Sequence, residues 1–186
     1  MALLFLSLLL LSSSPAAFSR LSSGGLGLTT SLKAAGTNPA VSKICKNTDH
    51  PQLCLSSIAP FLSSGHSVDV ESVLRFAVEA GSKYAKEALS AANGFAAKTA
   101  TPEVRSTLKD CKESYDTAVE NFQKTLDAFA TKDIGTMQSV LSAVITFVGD
   151  CEDEFTQMGT RSPLSKYAET LTEMTSNCLA IVSQMK

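Results

Sequence analysis

The chain has 186 residues, no tryptophan, 6% aromatics and a 44% apolar share, which makes room for one ordinary domain with a core of Leu, Val, Ala and Met, as in helix bundles. All 18 acidic residues follow residue 43, with 13 of the 16 basic ones, so the chain from Ile44 onward carries a net charge of −5. That excess, with no basic stripe to neutralise phosphates, excludes nucleic acid and points to a basic or neutral partner.

In chain order, the first feature is a leucine-dominated run from Leu3 to Leu11. It is far too short to span a bilayer. The small-x-small pattern Ala17-Phe18-Ser19 follows, so residues 1–19 read as a secretory signal peptide. The stretch from Arg20 to Lys43 is Ser-rich and has no acids, a composition shared with organelle transit peptides; the apolar run decides for secretion. Residues 20–40 cannot bury enough apolar area to order themselves and read as a low-complexity flexible segment. The domain is expected over 41–186.

Two short helical pieces open it, about Val41 to Thr48 and Gln52 to Leu62, broken at Asp49-His50-Pro51. Four longer segments then show apolar residues at helical spacing. The first runs Val70, Val73, Leu74, Ala77, Gly81, Tyr84, Ala88, Ala92, with Ser67 or Asp69 as its cap. The second runs Val104, Leu108, Cys111, Tyr115, Val119, Phe122, Leu126, Phe129. It is entered through Thr101-Pro102-Glu103, where a capping hydroxyl precedes proline and an acid. The third runs Ile134, Met137, Leu141, Val144, Val148, Cys151, Phe155, capped by Asp133. The fourth runs Tyr167, Leu171, Met174, Cys178, Ile181, Met185, entered through Ser162-Pro163. The breaks at Gly94 to Thr101, Thr131 to Lys132 and Gly159 to Ser162 are short, which forces sequential helices antiparallel. The fold class is all-α: an up-down-up-down four-helix bundle preceded by an N-terminal α-hairpin.

Five cysteines in a secreted chain imply two bridges and one free thiol. Cys111 and Cys151 lie equally far before and after Thr131 on facing apolar stripes, so the hairpin itself sets up a Cys111–Cys151 bridge. Cys45 and Cys54 are too far apart for a disulfide on one continuous helix, but the Asp49-His50-Pro51 break permits the reversal that would join them. Cys178 is left as a small buried hydrophobe, with an intermolecular bridge as the alternative.

Catalytic and metal signatures are missing from the sequence. Both histidines, His50 and His66, fall in connections. A Cys45-His50-Cys54 zinc site falls short of four ligands in a compartment that favours a disulfide. Asp150, Glu152, Asp153 and Glu154 cluster around Cys151, a run that reads as a solvated helix face rather than paired acids. No nucleophile elbow or phosphate loop is present. The expectation is a protein that is not an enzyme and takes no metal or cofactor.

The segment Ile44-Cys45-Lys46-Asn47-Thr48-Asp49-His50-Pro51-Gln52-Leu53-Cys54 resembles the start of the plant invertase and pectin methylesterase inhibitor family. Leu108-Lys109-Asp110-Cys111-Lys112-Glu113-Ser114-Tyr115-Asp116-Thr117-Ala118 resembles its middle. Leu141-Ser142-Ala143-Val144 with Asp150-Cys151-Glu152-Asp153-Glu154-Phe155 is similar to its third bundle helix, and Asn177-Cys178-Leu179-Ala180-Ile181 to its end. The resemblance implies a helical hairpin on a four-helix bundle, with bridges Cys45–Cys54 and Cys111–Cys151. It also implies an inhibitor of pectin methylesterase that is monomeric when free and lays bundle helices across the enzyme's substrate cleft. Invertase inhibitors of the family insert a Pro-Lys-Phe motif at the start of the third bundle helix. Here that place reads Lys132-Asp133-Ile134-Gly135-Thr136, which disfavours invertase. An allergen-like pollen protein with no enzyme target would share the signature. A pectin methylesterase pro-region would too, but the chain ends at Lys186, which favours a free-standing inhibitor in the cell wall, with no nucleic-acid or membrane partner.

A protein without chemistry acts through its surface. The candidate partner-binding residues are the outward positions of the second helix, Arg105, Lys109, Lys112, Glu113, Asp116, Glu120 and Lys124, joined by Glu79, Lys83 and Lys86 of the first. His66 would add pH sensitivity if it sits at their rim.

Overall fold

The computed structural model describes residues 38–62 and 68–185. The expected signal peptide, residues 20–37 of the flexible segment, His66 and Ser67 lie outside the described residues. Every regular element among the described residues is helical. Helices α1 (Pro39–Lys46) and α2 (Pro51–Ile58), the latter ending in a 3₁₀ turn Ala59–Phe61, form the hairpin. Helices α3 (Val70–Lys98), α4 (Pro102–Ala130), α5 (Ile134–Gln157) and α6 (Ser165–Val182) form the bundle. Each packs on the next and α6 returns to α3, so the up-down-up-down ring is closed.

Caps explain most of these boundaries. Helix α1 starts two residues before the expected Val41, because Asn38 Oδ1 accepts from the amides of Ala40 and Val41 at 3.0 and 3.2 Å while Pro39 takes the first position. Asp69 and Asp133 cap α3 and α5 by accepting from the Ser72 and Thr136 amides at 2.8 and 3.0 Å. Thr101 does not cap α4 through its hydroxyl; Pro102 and Glu103 carry that start. Helix α5 stops at Gly159, whose φ of +67° is a left-handed conformation that costs glycine nothing. Lys132 takes the same region, at 56°, and its ammonium reaches Glu71 Oε1 at 2.8 Å.

The expected break from Gly94 to Thr101 is shorter, covering only Thr99 to Thr101. Helix α3 runs through Gly94 to Lys98. Asn93 donates its side-chain amide to the Leu89 carbonyl at 3.1 Å, within the helix, and the alanines after Gly94 favour continuation.

The core lies along the bundle axis. On α5 it takes Met137, Leu141, Val144, Val148, Cys151 and Phe155, the expected stripe without Ile134, which is half-buried. The α4 stripe differs more. Val104, Val119, Leu126 and Phe129 are only half-buried, while Thr107, Ala118, Asn121, Thr125 and Ala128 face the core. Small residues there let the helices approach, and Thr125 returns its hydroxyl to the Asn121 carbonyl at 2.8 Å, so the polar atom is satisfied. Tyr167 and Met185 are half-buried; Tyr167 lies against Tyr84, ring centroids 5.7 Å apart.

Two disulfides lock the arrangement: Cys45–Cys54, with Cα atoms 5.6 Å apart, closes the hairpin, and Cys111–Cys151, at 4.8 Å, joins α4 to α5. Cys178 is free and buried. The hairpin is held to α6 by its reversal. Asn177 accepts from the His50 amide at 2.9 Å and donates to the His50 carbonyl at 3.0 Å, and Ser176 donates to Asp49 at 2.5 Å. His50 Nδ1 also lies 3.6 Å from Glu173. Phe61 stacks on Phe76 near the start of α3, centroids 5.9 Å apart. The hairpin therefore sits at the bundle end that holds the start of α3 and the finish of α6.

Candidate functional site

Helix α4 presents its charged positions as one ridge. Lys109, Lys112, Glu113, Asp116, Glu120 and Lys124 are all exposed. From Arg105 to Lys124 the ridge runs roughly 28 Å at the helical rise. Neighbouring α3 exposes Lys83 and Lys86, while Glu79 is half-buried. The charges on the ridge are loosely engaged. Lys124 and Glu120 are 3.9 Å apart with more than half of each side chain exposed, a pair worth little in water. Arg105 is different: its guanidinium donates to the Thr99 carbonyl at 2.6 Å and so braces the α3–α4 turn.

Glu113 also borders a second feature. A groove of about 680 Å³ between α4 and α5 is lined by Asp110, Glu113, Ser114 and Thr117 on one side and Phe147, Asp150, Asp153, Glu154 and Gln157 on the other. Glu154 is held above the ordinary carboxylate value, by burial first and then by the charges of Asp110 and Asp150. The acidic run around Cys151 is therefore not one flat face. Asp150, Asp153 and Glu154 border the groove, whereas Glu152 buries Oε1 away from any hydrogen-bond partner. The Tyr115 hydroxyl is buried and unpartnered as well, and its pKa is pushed far up by burial, then by the charge of Glu152.

Among the described residues no group of three or more His, Cys, Asp or Glu is placed to hold a metal ion. The Cys45 and Cys54 sulfurs are spent on each other, so the thiolates a zinc site would need are gone. The site can offer shape, charge and apolar contact to a partner.

The sequence did not single out the two exposed large hydrophobics among the described residues, Phe95 (37%) and Met158 (38%). Phe95 falls in the stretch expected to be a connection, and Met158 follows the last periodic position of α5. Local periodicity carries no signal for either.

The comparisons with known proteins agree with this architecture. The family model for the plant invertase/pectin methylesterase inhibitor matches residues 39–181. A pectinesterase inhibitor of Actinidia deliciosa is 26% identical over 118 residues, 63% of this chain and 63% of that protein. Two pectinesterase/pectinesterase inhibitor proteins of Arabidopsis thaliana are 25% and 27% identical over 157 and 152 residues. The chain spans only 16% and 25% of their lengths. In fold, the chain is similar to crystal structures of a pectin methylesterase inhibitor from Arabidopsis. A mutant form gives a TM-score of 0.65 at 18% identity, covering 78% of this chain and 96% of that one. The second gives 0.60 at 17%, covering 78% and 95%. With a family model covering hairpin and bundle together, the chain belongs to the plant invertase/pectin methylesterase inhibitor family.

Proposed function

We propose that the protein is a secreted, non-enzymatic inhibitor of a plant pectin methylesterase, acting in the cell wall. It forms a reversible 1:1 complex in which the bundle covers the enzyme's substrate cleft. The observation that carries this reading is the continuous match of residues 39–181 to the inhibitor family. Its surface supports the same reading: a rigid, disulfide-locked bundle exposing a charged ridge on α4 beside α3. The place where invertase inhibitors carry Pro-Lys-Phe is occupied here by Lys132 and the Asp133 cap of α5, with Lys132 held to Glu71. Pectin methylesterase is therefore the favoured target.

The test is a titration of the purified protein against a pectin methylesterase and an acid invertase, reading residual activity of each. Stoichiometric loss of pectin methylesterase activity alone is expected. Loss of invertase activity alone would reverse the target, and loss of neither would leave a family member without this function.

A further inference from the structure

We infer that the complex is anchored at the bundle end remote from the hairpin, where the protein receives an apolar side chain of the enzyme with a carboxylate beside it. This rests on the inhibitor reading above and specifies its docking surface. A hollow of about 350 Å³ opens there between the end of α3, the start of α4 and the α5–α6 connection. Its apolar wall is Phe95, Val104, Leu108, Phe155 and Pro163, and its charged members are Lys98 and Arg161. Among the described residues no acid lines it. Leu108 and Phe155 are 1% exposed and form a fixed floor. Arg105 braces the α3–α4 turn at the rim through the Thr99 carbonyl. Met158 is not part of that lining, but at the same end of the bundle its sulfur accepts from the hydroxyl of Thr107, the residue before Leu108, at 3.0 Å.

Composition separates this end from the α4 ridge. Interface cores are enriched in aromatic residues, Met and Arg and depleted in Lys, Glu and Asp. From Lys109 to Lys124 the ridge consists of the depleted types on flexible stems; the remote end gathers Phe95, Met158 and Arg161 beside Lys98, with Arg105 where the ridge meets it. Exposed charges mainly steer encounter, whereas desolvated apolar and Arg anchors slow dissociation. The ridge would set the association rate and the remote end the lifetime of the complex. The two cations, with no acid in the lining, select a carboxylate on the occupant, and the apolar wall selects the side chain next to it.

The experiment is surface plasmon resonance of the secreted protein on an immobilised pectin methylesterase, comparing wild type with Phe95→Ala, Arg161→Ala and the outward control Gln138→Ala. All three side chains are exposed in the free protein, and thermal melts check that each variant is folded. Phe95→Ala and Arg161→Ala are expected to speed dissociation about tenfold with little change in association, and Gln138→Ala to match wild type. Wild-type binding with unaltered dissociation of both variants overturns this inference alone. No wild-type binding overturns the enzyme reading and this inference with it. Decanoate that occupies the hollow without weakening the complex would assign it to a small carboxylic acid and also overturn the inference.

Discussion

Phe122 fills the space that a side chain on Gly81 would need: a Cβ built there would stand 2.7 Å from two of the ring's carbons. Phe122 is fully buried, so the ring has little room to retreat. Gly81→Ala gains roughly 1 kcal/mol of helix propensity but overpacks the α3–α4 contact, which costs about 1–3 kcal/mol. A net loss is expected. Gly94, further along the same helix, has nothing within 4 Å of where its Cβ would stand, so Gly94→Ala should stabilise by about 0.5–1 kcal/mol. Urea melts of the two variants, moving in opposite directions from wild type, check the contact.

The Cys111–Cys151 bridge spans 40 positions and the Cys45–Cys54 bridge 9. In the chain-entropy account the longer loop is worth about 4 kcal/mol and the shorter about 3. Replacing Cys111 and Cys151 together with Ser should therefore lower the melting temperature more than replacing Cys45 and Cys54. Peptide mapping of the unreduced protein should recover the same two pairs.

Asn177 is 2% exposed and satisfies both backbone groups of His50. Asn177→Ala leaves the His50 amide without its partner, at a cost of about 1–3 kcal/mol, while the His50 carbonyl keeps the Cys54 amide at 2.9 Å. The loss should be local: amide exchange at His50 should quicken before that of the bundle helices. Equal quickening throughout the chain would show that the hairpin and bundle open as one unit.

The pH response of two acids has opposite sign. Glu154 is raised in the folded protein, so its destabilising contribution is fully present above the raised value and is relieved as pH falls from there to the ordinary carboxylate value. Glu154→Gln should raise the melting temperature near neutrality, and the gain should vanish in acid. Asp69 is lowered, by the Ser72 hydroxyl first and then its amide. Its contribution is present above the ordinary carboxylate value and is lost as pH falls through the lowered one. Asp69→Asn should blunt that acid loss. Melts of both variants across the acid range read the two signs.

Cys178 is fully buried, and burial pushes its thiol up to about 12. A thiolate is the reactive form, so the folded protein should not react with Ellman's reagent. One equivalent should appear on unfolding without reduction. Reaction of the folded protein would show that α6 opens.

Much of this architecture is readable locally. The α5 stripe from Met137 to Phe155 and the antiparallel turn at Thr131 follow from spacing, as does the facing of Cys111 and Cys151 across it. Gly94 misleads, because glycine punctuates most helices and here sits inside one with open space beside it. Reading it as a break also hid Phe95, and with it one wall of the remote hollow. The α4 stripe is displaced toward Thr107, Asn121 and Thr125 because their polar groups find partners inside the protein: Asn121 and Thr125 bond back to carbonyls of α4, and Thr107 donates to the Met158 sulfur. The clasp between His50 and Asn177 joins positions 127 residues apart, and no local pattern announces such a contact. The α4 ridge was legible as exposed charge, whereas the groove shared with α5 depends on how two helices meet.

The Gln184 side chain donates to the Ile44 carbonyl at 3.4 Å, across 140 positions. The first and last described helices are thus neighbours. A circular permutant of residues 38–185, joining Met185 to Asn38 through a short flexible linker, with new termini between the exposed Ala100 and Thr101, would keep every described helix whole. Such a permutant would turn the hairpin from an amino-terminal appendage into an internal segment, while both disulfides keep the same partners.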